Sequence, residues 1–154
     1  MSHNYSLYGI PAYWTLALIP HVYSVVLVSN NKQKWDNANS KSEKFSALLR
    51  KNLPPNTLAK YERARAAHNN MLSENMALFV GAVLAGNMAG LEARFMNNII
   101  GGYLLSRVAY LGCYLYIRRQ KYALMRTTVF NMGCGLLLWV YFKAAGVYAA
   151  KVAI

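Results

Sequence analysis

Arg63, His68, Asn70 and Glu74 stand in one segment of the sequence, Arg107, Tyr110 and Tyr114 in a second, and Arg126 in a third. At about 100° per residue, Arg63, Asn70 and Glu74 fall within about 40° of one another on a helix. Arg107, Tyr110 and Tyr114 take positions i, i+3 and i+7, again one helical face. If these faces met, they would bring together a carboxylate, several guanidiniums, an amide and two phenols. That set suits a small zwitterionic ligand rich in carboxylates. Arginine pairs bidentately with a carboxylate, and a glutamate takes an ammonium. The set does not suit a metal, because no His, Cys, Asp or Glu cluster has ligand spacing. His3, His21 and His68 are far apart in the sequence, and neither GxSxG nor another hydrolase arrangement occurs.

Each residue taken alone has an ordinary explanation. Glu74 and Arg107 would serve as a structural ion pair, Tyr110 and Tyr114 as packing or interface anchors, and Arg126 as a flanking charge. His68 would serve as a helix-surface or capping residue, and Arg63 and Arg65 as a solvated basic face. The grouping inside apolar surroundings raises the functional reading, since an ionisable side chain at the centre of a membrane helix costs at least ~2.5 kcal/mol.

The elements that must position these residues follow from composition. Of 154 residues, 56% are hydrophobic and 14% charged, against ~25% charged in a soluble domain. The net charge is +12, yet the basic residues cluster between apolar runs rather than along a stripe, which speaks against a nucleic-acid partner. Cys113 and Cys134 lie inside apolar runs and read as buried small hydrophobes. A spanning helix needs ~20 apolar residues. Spans are predicted at about 8–28, 71–91, 98–117 and 124–147, forming one all-α membrane domain, a four-helix bundle.

The first span begins without a basic leader region and carries Pro11 and Pro20, so it reads as retained, with Pro20 as a kink. The connection of about 30–60 is polar and basic. Within it Phe45 to Leu49 is predicted as a short surface helix, Trp35 as an interface residue and Pro54-Pro55 as a break. The second helix starts near Thr57, ahead of the membrane surface, and holds a GxxxG pattern at Gly86 and Gly90 that permits close helix contact. Glu92 to Asn97 reads as a tight turn, and Lys143 can snorkel. Nine Lys and Arg lie in Asn30–Arg65 and four in Arg118–Arg126; the first seven residues have none, and the turn after the second helix has only Arg94. The positive-inside rule then puts both basic loops in the cytosol and both termini on the other side.

Three stretches together resemble the MAPEG family, the membrane-associated proteins of eicosanoid and glutathione metabolism. They are Glu62-Arg63-Ala64-Arg65-Ala66-Ala67-His68-Asn69-Asn70 with Glu74-Asn75, then Arg107-Val108-Ala109-Tyr110-Leu111-Gly112-Cys113-Tyr114, then Arg126-Thr127. The resemblance runs from about Thr57 to Phe142. It implies a homotrimer of four-helix subunits in the endoplasmic reticulum, with glutathione bound between subunits in the cytosolic half of the membrane and a lipophilic small molecule reached from the lipids. Arg63, His68, Asn70, Glu74, Arg107, Tyr110 and Tyr114 are implied as glutathione-binding, with Arg126 stabilising the thiolate. A free thiol has a pKa near ~8.5, and a nearby cation lowers it.

This chain departs from the family pattern in several places. An extra residue separates Asn70 from Glu74, where His-x-Asn-x-x-Glu is usual, although a spacing of four still keeps the two on one face. Ala66 stands where an arginine is usual and Ala77 where a proline is usual, and the loop before Arg126 is longer. The expected function is glutathione transfer or peroxidase chemistry on a lipophilic electrophile. The alternatives are an isomerase or cyclase of an apolar metabolite, with glutathione unconsumed or absent, and a scaffold without chemistry.

Overall fold

The computed structural model describes residues 3–117 and 123–152, with the side chains of Glu74, Ala123 and Val152 outside the described ones. After a 3-10 turn (Ser6–Tyr8) come α1 (Gly9–Asn30), α2 (Glu43–Asn52), α3 (Pro55–Asn69), a π turn (Asn70–Asn75), α4 (Met76–Ala89), α5 (Ala93–Tyr116) and α6 (Ala123–Val152). The basic residues Arg118, Arg119 and Lys121 lie outside the described residues.

Among the described residues, three helical stretches are long and apolar enough to cross a membrane: Ser6–Asn30, Pro55–Ala89 and Leu124–Lys151. The third expected span, now α5, has 24 residues, roughly 36 Å at 1.5 Å each. Arg94, Asn97, Asn98 and Arg107 dilute its hydropathy. α3, the π turn and α4 form one continuous rod, so the second helix starts close to where the sequence suggested and far outside its apolar part.

Aromatic stacking centres the core. Phe79 of α4 stacks on Tyr103 of α5 at 4.7 Å between ring centroids, and Tyr13 of α1 packs on both, at 4.9 and 5.8 Å. Met71, Val83, Met96, Leu137 and Val140 close the cluster, bringing in α6. Outward-facing apolar residues are abundant, including Tyr8, Leu105, Leu124 and Phe142, each at least 70% exposed. Apolar area on this scale is stable against lipid or another chain, not against water. A second, smaller core holds α2 under the end of α1, where Phe45, Leu49 and Leu53 pack with Val28, Tyr61 and Trp35. Ser42 caps α2 by accepting from Phe45 N at 3.1 Å, and Glu43 at one end with Arg50 and Lys51 at the other suit the helix dipole.

Two expectations need correction. The GxxxG pattern does not form one helix contact. Gly86 faces Met96 and Val140, but Gly90 is the left-handed cap of α4 (φ 74°), with Leu91 N donating to Gly86 O and Gly90 N to Asn87 O. Only glycine adopts that conformation cheaply, so Gly90 ends the helix rather than packing it. The turn before α5 is also shorter than Glu92 to Asn97, because the helix already begins at Ala93. Asn97 is a helical residue whose polarity serves a tertiary purpose: its Oδ1 accepts from Tyr5 N and its Nδ2 donates to His3 O, both at 2.7 Å. Asn87 bonds Asn4 and Ser6. This amide clasp holds the N-terminus against the α4–α5 turn, at the opposite end of the rod from the basic segment that holds α2.

Candidate functional site

The site begins where the α3–α4 rod changes pitch. Over Asn70–Asn75 the helix closes i→i+5 turns instead of i→i+4. A wider turn disturbs the carbonyl ladder, and side chains supply donors to it. Tyr13 OH donates to Met71 O at 2.6 Å from across the core, and Ser73 Oγ to Asn69 O at 2.6 Å. Asn75, at the end of the turn, is 1% exposed; its Oδ1 accepts from Cys134 Sγ at 3.7 Å and its Nδ2 has no partner.

From this turn a chain of contacts runs to α5 and α6. Asn70 Nδ2 donates to Tyr110 OH at 3.2 Å and to Tyr114 OH at 3.4 Å. The two rings lie 5.4 Å apart. Arg126, in the first turns of α6, sets its guanidinium over the Tyr114 ring at 4.8 Å. The N–H groups of a first helical turn are unpaired and carry partial positive charge, so this end of α6 adds to the cation.

Arg107 is buried without exposure one helical turn below Tyr110. Its guanidinium lies 4.8 Å from the Tyr103 ring and 5.4 Å from each of Tyr110 and Phe130. Nη2 donates to Phe130 O at 3.1 Å, Nε to Ser106 Oγ at 3.3 Å, and Nη1 has no partner. Gly133 makes the room, since a Cβ there would overlap Arg107 Nη2.

The structure therefore brings together Asn70, Tyr110, Tyr114 and Arg126, with Arg107 behind them. Arg63 sits two turns up α3, half-buried, its Nε enclosed without a partner. Glu74 belongs to the π turn by its backbone, but its side chain lies outside the described ones. His68 points elsewhere. Its Nδ1 meets Ala17 O at 2.8 Å, and its ring lies 5.1 Å from that of His21. Among the described side chains, no carboxylate reaches Arg63, Arg107 or Arg126; the ion pairs present join Arg50 to Glu43 and Glu62. Four cavities lie on the α1–α3 and α2 side of the molecule.

Sequence reasoning missed Tyr13, Asn75, Phe130 and Gly133. Asn75 had a signal, an amide opening an apolar run beside Glu74. The other three are ordinary membrane-helix residues until their neighbours are known.

A family model described as MAPEG family matches residues 8–146, nearly the whole chain. The chain belongs to the MAPEG family. Searches of curated proteins and of solved structures return no match. With its membrane-spanning helices, this MAPEG chain is an integral membrane protein of a family that includes glutathione transferases and related enzymes.

Membership gives the π turn a meaning. A π turn uses five residues where an α turn uses four, so it absorbs one inserted residue and lets the following helix continue in its former register. The extra residue that the resemblance implies between Asn70 and Glu74 would fall inside it. Deleting Ser73, an exposed residue, is therefore expected to leave a continuous α-helix with stability changed by no more than about 1 kcal/mol. An alanine inserted between Leu84 and Ala85 has no such turn to enter and rotates Gly86 about 100° away from Met96. A loss several-fold larger is expected there. Thermal unfolding of the two variants in detergent checks this; equal losses would mean that the turn is not the insertion's seat.

Proposed function

We propose that this protein directs the thiolate of glutathione onto a lipophilic electrophile, conjugating the two as a transferase or, as a peroxidase, reducing a hydroperoxide to the alcohol and water while two glutathiones are oxidised to the disulfide. We further propose that it works as a homotrimer in the endoplasmic reticulum membrane with four spans per subunit and its basic loops in the cytosol. The observation that carries the reading is the contact chain Asn70–Tyr110/Tyr114–Arg126, which gathers an amide, two phenols and a guanidinium. In it Asn70, Glu74 and Arg63 hold the peptide's charged groups, and the Tyr110 and Tyr114 hydroxyls orient it. Arg126 and the first turn of α6 lie against its sulfur. Glutathione supplies the nucleophile there; as the bond to the electrophile forms, Arg126 stabilises the anionic partner and then the leaving group.

The isomerase and cyclase readings drew on the extra residue before Glu74. A π turn that absorbs that residue removes much of the reason to prefer them. The deciding experiment is thermal unfolding of the detergent-purified protein with glutathione. At a concentration of 100 Kd a ligand of the native state adds about 2.7 kcal/mol. That gain is expected for the wild type and not for Asn70→Ala or Glu74→Ala. No gain from folded wild-type protein would turn the assignment to glutathione-independent chemistry or to a scaffold.

A further inference from the structure

His68 and the residues around it form a second polar site, on the side of α3 that faces α1. Pro20 has no N–H, so the ladder of α1 is interrupted one turn earlier, at Leu16. The next carbonyl, Ala17, takes His68 Nδ1. A carbonyl only accepts, so Nδ1 carries the proton and Nε2 is left for another partner. His21 lies against this ring and meets Trp35 edge-on at 5.7 Å. His21, His68, Trp35, Lys41, Arg65 and Asn69 line a cavity of about 70 Å³. A water in the liquid takes about 30 Å³, so the space suits one tetrahedral oxyanion or a pair of waters. The cavity shares Lys41, Arg65, His68 and Asn69 with a groove that runs down α3 to Leu72 and Ser73, at the start of the apolar half of the rod.

The charges here lack their complement. Arg65 Nη1 donates to Ser46 Oγ at 3.3 Å and to Tyr61 OH at 3.2 Å, both neutral. Among the described residues, neither Arg65 nor Lys41 has a carboxylate within ion-pair distance, and the nearby Glu43 and Glu62 both turn to Arg50. Cations and imidazoles at one end and a leucine toward the membrane at the other are the two ends of an amphiphile. We infer that this groove holds the phosphoryl headgroup of an anionic membrane lipid, gripped by Lys41 and Arg65 with the Asn69 amide as a neutral donor and His68 as part of the wall, its acyl chain leaving past Leu72. The site is separate from the Asn70–Tyr114–Arg126 cluster, because His68 and Asn70 leave α3 in different directions.

The test is thermal unfolding of the protein in neutral detergent with phosphatidic acid, phosphatidylcholine, inorganic phosphate or glutathione added singly. Phosphatidic acid is expected to raise the midpoint by several degrees and phosphatidylcholine not at all. Arg50→Ala should keep the rise. Lys41→Ala with Arg65→Ala should lose it. Lys41→Ala alone should lower the apparent affinity about tenfold, and it is safe for folding because that side chain makes no hydrogen bond among the described residues. Equal rises with both lipids, or a rise that survives the double substitution, would overturn the proposal. An equal rise from inorganic phosphate would replace the lipid by free phosphate. A glutathione rise abolished by the same double substitution would reassign the groove to the tripeptide.

Discussion

Arg126→Ala is expected to abolish the thiolate absorbance of bound glutathione and to lower turnover of a lipophilic electrophile by about 10²- to 10³-fold, while the protein stays folded. Arg126 is half-buried in the first turns of α6, and among the described residues its one recorded contact is the Tyr114 ring. Such a partly exposed cation–π contact is worth about 0.5–1 kcal/mol, so little stability is lost with it. The catalytic loss is larger because a cation beside the sulfur stabilises the thiolate and not the thiol, at ~1.36 kcal/mol for each unit of thiol pKa. Arg126→Lys keeps a charge but not the planar fork over Tyr114, and should fall between wild type and alanine. A thiolate signal unchanged in Arg126→Ala would remove this residue from the chemistry and leave Arg63, the other half-buried cation on this side of α3, as the candidate.

Helical periodicity is enough to put Asn70 on one face of its helix and Tyr110 with Tyr114 on one face of another. Asn70 does meet Tyr110 and Tyr114, and Arg126 does cover Tyr114. What periodicity misjudged were positions where the chain is not a uniform α-helix or where a tertiary partner decides. His68 lies two residues before Asn70 and shares its motif, yet its Nδ1 meets the Ala17 carbonyl on α1, a tertiary contact that no motif announces. Asn97 looked like a turn residue because it is polar, but the N-terminal strand of backbone satisfies it inside α5. The π turn is invisible to a wheel drawn at a fixed angle. Only the comparison of spacing between Asn70 and Glu74 hinted at it, and a spacing of four is equally compatible with an ordinary helix. The same limit applies to Gly86 and Gly90, which look alike in sequence and serve opposite ends, one packed against Met96 and the other in left-handed backbone.

Arg107→Ala is expected to destabilise the protein by on the order of 3 kcal/mol, more than any other substitution in the cluster. The removed guanidinium leaves a void among Tyr103, Tyr110 and Phe130, and Phe130 O, already inside the α6 ladder, loses the second donor that Nη2 supplies. Arg107→Met refills most of that volume and should recover about half the loss, which separates packing from hydrogen bonding. Because Arg107 is fully buried, its influence on a ligand passes through the Tyr110 ring it supports. Gly133 offers an independent test of this arrangement. Gly133→Ala places a methyl group where Nη2 sits, and the guanidinium, enclosed by three rings, has no open side to move into. In the wild-type background the alanine should cost about 1–3 kcal/mol by overpacking. In the Arg107→Met background the shorter, flexible thioether leaves the space free, and the same alanine should cost little. A coupling of at least about 1 kcal/mol between the two positions is therefore expected in a double-mutant cycle read by thermal or denaturant unfolding. Additive losses would mean that Gly133 does not house the guanidinium, and that Arg107 is free to turn toward the ligand face.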